Sequence, residues 1–456
     1  MKNDSDKLDF NFSRSLDFQK DLNLNNFSDT FNILIGKCKN DVLLLRHLKL
    51  LLIELYYCWN ESEDQFLKVS MSKRGYRANS RYNPNKISSY TIRAVRHLHA
   101  EGLIDFFPGF YDSKRRISRL TRIRASEVLR EHFNKIRKIP GWKVNHLKRE
   151  YLLISNKNKE LIEYSDNFKT HEIRDIIVCY NDLILKTFFD IPSIEKKFII
   201  RGDNRRVAIA DTNSTTDYSF TEAINSSGEF KGSWWNKLDI HSINNFKRHF
   251  IINHEKTNHI DLLDFFSIFL SQKFETKINL DLNPNYKGLN VDQKIHLILK
   301  GLHSRKADSF YRSINNDKRK IGMDFEILGS NSRDFIDRFI KTNYSISKFF
   351  FKGYFVDWSK FVSNVFFELI KQLASAKIPV YLIKEKIFYQ SIMEKIVLDK
   401  INVILEKALN LKKINIQSQP CYAYDFGDKS FFGRLILSKN KFSARYLKRR
   451  QSFNSI

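Results

Sequence analysis

The stretch from Ser88 to Arg124 constrains the fold of this chain more than any other. Ser88 is placed to cap a helix whose apolar residues, Ile92, Val95 and Leu98, recur at helical spacing. Gly102 ends that helix in the phrase Glu101-Gly102-Leu103-Ile104. Two extended segments follow, Leu103–Phe107 and Ile117–Arg124, joined by Pro108-Gly109 and the polar stretch Tyr111–Arg116. Helix, Gly-Leu-Ile, strand and basic hairpin, in that order, outline a winged helix-turn-helix. In such a unit the apolar triplet faces the core, leaving Ser89, Tyr90, Arg93, Arg96 and His97 turned outward to a nucleic-acid groove. The wing carries Lys114, Arg115, Arg116, Arg119, Arg122 and Arg124, placed to meet backbone phosphates. Arginines there serve phosphates as readily as guanines, so base readout stays open. A winged domain that binds protein, or a solvated basic hairpin, fits the same residues.

Charge sharpens this reading only where it is local. The chain of 456 residues has 78 Lys+Arg against 51 Asp+Glu, a formal charge of +27. Phe, Ile, Asn and Lys are abundant while Gly and Pro are scarce, the skew of an AT-rich coding sequence, so lysine is partly background. Arginine is not favoured by that skew, yet 12 of the 29 arginines fall between Arg74 and Arg137. From Gln65 to Ala100 there are eight Lys/Arg and no acidic residue. Such a patch suits a polyphosphate, and duplex DNA is the expected partner.

Hydrophobic residues at 42% and aromatics at 14% exclude disorder as the main state. The most apolar stretch, Asp41 to Trp59, reads as a helix capped by Asp41. Arg46, His47, Lys49 and Glu54 interrupt it, so it falls short of the roughly 18 uncharged residues of a membrane span. The first thirty residues lack a secretory pattern, and Cys38, Cys58, Cys179 and Cys421 lack disulfide or metal spacing. A cytoplasmic chain with reduced, buried cysteines is expected. No phosphate-loop, dinucleotide or nucleophile-elbow motif occurs, and no small-molecule cofactor is evident.

The expected class is α+β. Residues 1–35 read as a polar, poorly ordered arm, and 40–135 as the winged module. Residues 140–225 read as a helical region, with helices over His146–Tyr164 and His171–Phe189, a short hairpin around Gly202-Asp203-Asn204, and a loop from Asp211 to Ser227. A larger α+β domain spans 226–420, and 421–456 is an extension ending in the basic run Arg445–Arg450. Within the larger domain, Gly228–Asn236 holds two glycines around an aromatic and then paired tryptophans. It is either a ring-anchoring loop beside a binding surface or a plainly packed one. Asp261 ends one extended segment, and Glu385 sits at the tip of a hairpin formed by Ile378–Tyr389. Side by side, these carboxylates are the minimum that holds divalent metals for phosphoryl transfer; apart, they are surface acids or caps.

The order of these segments resembles a poorly characterised family of phage- and plasmid-associated bacterial proteins, whose core is similar to the palm of family A DNA polymerases. The resemblance runs from about Arg115 to Leu405. It is carried by Arg122-Ile123-Arg124-Ala125, Tyr180-Asn181, Asp190-Ile191-Pro192, Gly228–Asn236, His259-Ile260-Asp261, the helix Val291–Lys306 and the hairpin of Ile378–Phe388. It implies a palm-like domain in which Asp261 and Glu385 hold Mg²⁺ and Lys294 steadies a nucleoside triphosphate. The family shows His-Asp-Ser where this chain has Lys384-Glu385-Lys386, so two lysines flank the expected metal ligand. The expectation is a replication-associated DNA-binding protein of a mobile element with a degenerate polymerase-like core. The alternatives are a non-enzymatic origin-binding initiator or transcription regulator, and a protein-interaction scaffold.

Overall fold

A computed structural model describes residues 8–22, 40–114, 117–137, 149–196, 198–209, 215–224, 226–246, 249–273, 291–317, 332–352, 355–411, 414, 416–421 and 444–454. The chain forms two units, one of Met1–Glu150 with Ala208–Thr212 and Arg449–Ile456, the other of Tyr151–Val207 with Asn213–Lys448. Among the described residues no helix is long and apolar enough to cross a membrane.

The first unit is built around helix α1 (Val42–Glu61), whose N-cap Asp41 accepts the Leu44 N–H at 2.9 Å. Its stripe of Leu44, Leu48, Leu51, Leu52 and Leu55 is buried, as the leucine spacing requires. Strand β1 (Ser13–Ser15) runs parallel to β2 (Phe66–Val69). Part of the segment expected to be a loose arm is therefore structured, with Phe12 buried. Helix α2 (Tyr90–Ala100) buries Thr91, Ala94, Val95 and Leu98, while Ile92 is only half-buried. Gly102 then adopts φ +68°, a left-handed turn that spares a Cβ penalty. Strands β3 (Ile104–Phe107), β4 (Phe110–Asp112), β5 (Ile117–Arg119) and β6 (Thr121–Ala125) follow, then helix α3 (Glu127–Arg137). The main sheet has the order β1-β2-β6-β3, and β4 and β5 form a separate hairpin. Between β2 and α2 the regular structure is a single 3₁₀ turn, Lys73–Gly75.

Buried charge ties β1 to α1. The Arg14 guanidinium lies 3.3 Å from Glu54 and 2.9 Å from Glu61. At Glu54 burial outweighs the attraction of Arg14 and of the buried Lys20, pushing its carboxyl up to about 7. The folded chain thus keeps a proton that the unfolded chain releases near the ordinary value of about 4.3. That contribution to stability is whole below the ordinary value and is lost as pH rises through about 7. Between about pH 4 and about pH 8, wild type is expected to lose about 3 kcal/mol relative to Glu54→Gln in urea unfolding. Parallel pH profiles for the two proteins would refute this.

In the second unit, β7 (Leu152–Ser155) replaces the helix expected over 146–164; residues 138–148 lie outside the described ones. In the folded chain its burial alternates two-fold, with Leu152 and Ile154 buried, as a strand paired with β11 requires. Helix α4 (Phe168–Leu185) begins at a capping box formed by Asn167 and Thr170. Strands β8 (Phe189–Asp190), β9 (Phe198–Ile200), β10 (Arg206–Ala208), β11 (Asp217–Thr221) and β12 (Glu229–Lys231) follow. β9 and β10 make the expected hairpin, whereas β11 occupies part of the stretch expected to be a loop and pairs in parallel with β7. Helix α5 (Ile240–Phe246) precedes β13 (Ile251–Ile252), which pairs with β8 and not with β14 (Thr257–Asp261). Helices α6 (Phe266–Lys273), α7 (Val291–His303), α8 (Ala307–Asp317), α9 (Ser332–Thr342), α10 (Tyr344–Ser347) and α11 (Phe355–Ser375) separate β14 from the hairpin β15 (Val380–Ile383) and β16 (Lys386–Gln390). Helix α12 (Glu394–Ala408), the short β17 (Gln419–Pro420) and α13 (Ala444–Asn454) complete the described chain. The basic end is thus helical, with Tyr446 buried against Phe188 and His254. Cys58 and Cys421 are buried as expected, but Cys179 is exposed, and Cys38 lies outside the described residues.

Candidate functional site

The sheet β15-β16-β14-β17 joins segments far apart in the chain. β16 pairs antiparallel with both β15 and β14, in a register that sets Asp261 opposite Lys386. Lys384, at the turn, has φ +56°, and the Leu262 N–H donates to the Glu385 carbonyl at 2.9 Å. Asp261 and Glu385 are therefore brought to one end of one sheet.

Their environments differ. Asp261 is buried; Oδ1 accepts the Leu263 N–H at 3.0 Å, and Oδ2 is ion-paired with the buried Lys386 ammonium. Glu385 is half-buried, and burial holds its carboxyl above the ordinary range; Lys384 pulls it back, while the Asp261 charge adds to the rise. Both Asp261 oxygens are thus engaged, one by a backbone N–H and one by an internal cation. Among the described residues no cluster of three or more His, Cys, Asp or Glu is arranged to hold a metal. The donor set does not fit Mg²⁺, because a cation beside the carboxylate opposes a second one.

Lys294 lies on the buried stripe of α7 with Leu297 and Ile298 and is 2% exposed. Its three- and four-residue spacing to those leucine and isoleucine side chains turns it inward, away from any triphosphate in solvent. Lys300 is half-buried, and Lys306 is exposed beyond the helix end.

Two of the residues that carried the resemblance, Tyr180 and Asn236, support the hairpin. β15 is the edge strand, and two of its outward carbonyls are covered: Tyr180 Oη donates to Val380 O at 2.8 Å, and Asn236 Nδ2 to Leu382 O at 3.0 Å. Asn181 exchanges hydrogen bonds with the Thr216 backbone at 2.8 and 2.9 Å. Trp234 and Trp235 are core residues, so the paired tryptophans of the Gly-rich segment are packed and do not offer their rings to a ligand. A cavity of about 280 Å³ adjoins the site, lined by Gly228, Phe230, Trp358, Leu382, Lys384 and Glu385 among others.

In the first unit the expected DNA-contacting residues divide into two groups. Tyr90, Arg93, Arg96 and Lys114 are exposed, and Ser89 and His97 are half-buried. Arg93 also pairs with Asp41 at 3.0 Å. The other group is structural. Arg122 is buried and donates to the carbonyls of Phe10 and Leu120 at 3.1 and 2.8 Å. Arg124 pairs with Asp105 at 2.8 Å, and Arg119 donates to Pro108 O at 3.0 Å. Arg122 and Arg124 are thus spent on the sheet, because β6 is one of its two inner strands. Arg115 and Arg116 lie outside the described residues.

Exposed charge instead follows the acid-free stretch, where Lys73, Arg74, Arg77 and Lys86 reach solvent. The missing acids were its signal in the sequence. His47 is a second residue that sequence reasoning passed over. It is buried on α1, accepts the Ser88 N–H at Nε2 (2.9 Å), and lies 2.7 Å from Leu43 O through Nδ1. Burial pushes its pKa down, and the bonds fix a neutral ring that clamps α1 to the start of α2. No protein-family profile, curated protein or solved structure matched the chain.

Proposed function

We propose that the chain is a DNA-binding protein of the kind that serves replication of a plasmid or phage, and that its N-terminal unit binds the duplex. The carrying observation is the exposed basic surface of Lys73, Arg74, Lys86 and Arg96, drawn from a stretch without an acidic residue. The sheet order β2-β6-β3, with α2 entering β3 through Gly102, supports the winged-helix reading of this unit. In that reading α2 is the recognition helix, and the turn-rich segment after β2 takes the place of its partner helix. The mobile-element role rests on the order of segments along the chain.

Binding to duplex DNA across a salt series tests the proposal. The combined Arg74→Ala, Lys86→Ala and Arg96→Ala variant is expected to flatten the slope of log K against log salt by about 2.7 units, roughly 0.9 for each phosphate contact. An unchanged slope points to the protein-interaction scaffold instead.

The Asp261–Lys386 pair favours a non-enzymatic initiator or regulator over an active polymerase, with the palm-like unit retained as an assembly platform. Primer extension with Mg²⁺ or Mn²⁺ is expected to yield no product, and templated extension that Asp261→Ala abolishes would restore the enzyme.

A further inference from the structure

The hairpin of β4 and β5 concentrates uncovered apolar side chains. Phe110 is 50% exposed, Tyr111 72%, Ile117 50% and the adjoining Leu120 52%. A two-stranded hairpin is marginal in water, yet this one is anchored at its base. The Gly109 N–H donates to Thr121 Oγ1 at 3.0 Å, and a Cβ on Gly109 would lie 2.4 Å from Arg119 O, so the two backbone segments close there as only glycine allows. The Arg119 guanidinium is held by Pro108 O and lies over Phe10 at 4.1 Å and over Phe110 at 5.2 Å. The register pairs Phe110 with Arg119, Tyr111 with Ser118, and Asp112 with Ile117. Opposed residues share a face, so Tyr111 has only a serine across from it, and its ring is left bare while Arg119 covers Phe110.

A bare aromatic ring on a braced, basic hairpin fits a ligand that offers flat rings and anions together. Lys114 is exposed beside it, and exposed basic side chains recur from Lys73 to Arg96 in the same unit. In duplex DNA the base faces are already stacked, so a side-chain ring reaches one without the cost of unstacking only where a strand is unpaired. We propose that this hairpin is a base-stacking element, in which Tyr111 stacks on an unpaired base where duplex DNA opens into single strand and Lys114 meets a neighbouring phosphate. This rests on the DNA-binding reading above and narrows its substrate to junctions.

The test compares a blunt duplex with the same duplex carrying a single-stranded arm, which has a fluorescent adenine analogue at the first unpaired position. Wild type is expected to bind the armed duplex about tenfold more tightly and to quench the analogue, the gain typical of one stacked base. Tyr111→Ala should lose both effects while keeping its affinity for the blunt duplex, and Tyr111→Phe should keep both. Tyr111 is exposed, so these variants leave the core intact. If Tyr111→Ala binds the two DNAs in the wild-type ratio, the inference fails while the DNA-binding reading stands. If wild type binds neither DNA at low salt, both fail. Binding to phosphatidylserine vesicles that depends on Tyr111, with an unaltered preference between the DNAs, would overturn the inference in favour of a lipid surface.

Discussion

Asp261→Ala is expected to destabilise the protein by about 3 to 5 kcal/mol, because it takes away the carboxylate that faces the buried Lys386 ammonium. A charge taken out of water without its counter-charge carries its full desolvation cost. The double variant Asp261→Leu/Lys386→Met should recover most of that loss, since a buried ion pair and an apolar pair of similar volume are often close in stability. Urea unfolding of the three proteins measures this. The experiment also separates two views of the sheet end. In a metal centre, adjacent acids repel one another in the absence of metal, so removing one would be neutral or stabilising. A neutral Asp261→Ala would therefore mean that Lys386 does not neutralise Asp261, and the carboxylate pair would again be a candidate for divalent cations.

The second large effect is expected at Phe189, a residue with no part in any chemistry. Its ring stacks on Tyr381 at 3.9 Å and on Phe250 at 5.1 Å, lies 5.4 Å from Trp234, and meets Trp235 edge-on at 5.6 Å. Phe189→Ala opens a cavity among four aromatic side chains and should cost about 3 to 5 kcal/mol. Phe189→Leu keeps much of the volume without the stacking and should lose about 1 kcal/mol. A loss below about 1 kcal/mol for the alanine variant would show that the rings close over the gap, and that the cluster does not hold β15 in place.

Much of the first unit was legible in the sequence because its elements contact near neighbours in the chain. The leucine stripe of α1, the Asp41 cap, the left-handed Gly102 and the extended segments within Leu103–Phe107 and Ile117–Arg124 each depend on a few adjacent residues, whereas β4 falls in the stretch read as their connection. The failures lie where one local pattern admits two structures. Residues 152–155 satisfy a helical count as readily as a two-fold one, and β-pairing with β11 decides between them. At 217–221 Asp-Tyr-Ser-Phe-Thr carries a two-fold alternation that the surrounding Ser, Thr and Asn residues obscured, and the strand is fixed by β7 and β12 on either side.

For the candidate site the division is sharper. By itself the sequence determined that basic residues crowd between Arg74 and Arg137, that acids are missing from Gln65 to Ala100, and that Asp261 and Glu385 end extended segments. Only the tertiary structure decided which of those charges are free to act. Arg122 and Arg124 are drawn into the sheet while Arg74 and Arg96 stay in solvent, since burial depends on which face of which strand is covered. The two acids reach one end of one sheet because β14 and β16 pair across a separation of 125 residues, and the register of that pairing opposes Asp261 to Lys386. A shift of one residue would turn every side chain of the strand to the other face, and neither strand alone encodes that choice. The same pairing that unites the two acids therefore also sets a lysine against one of them.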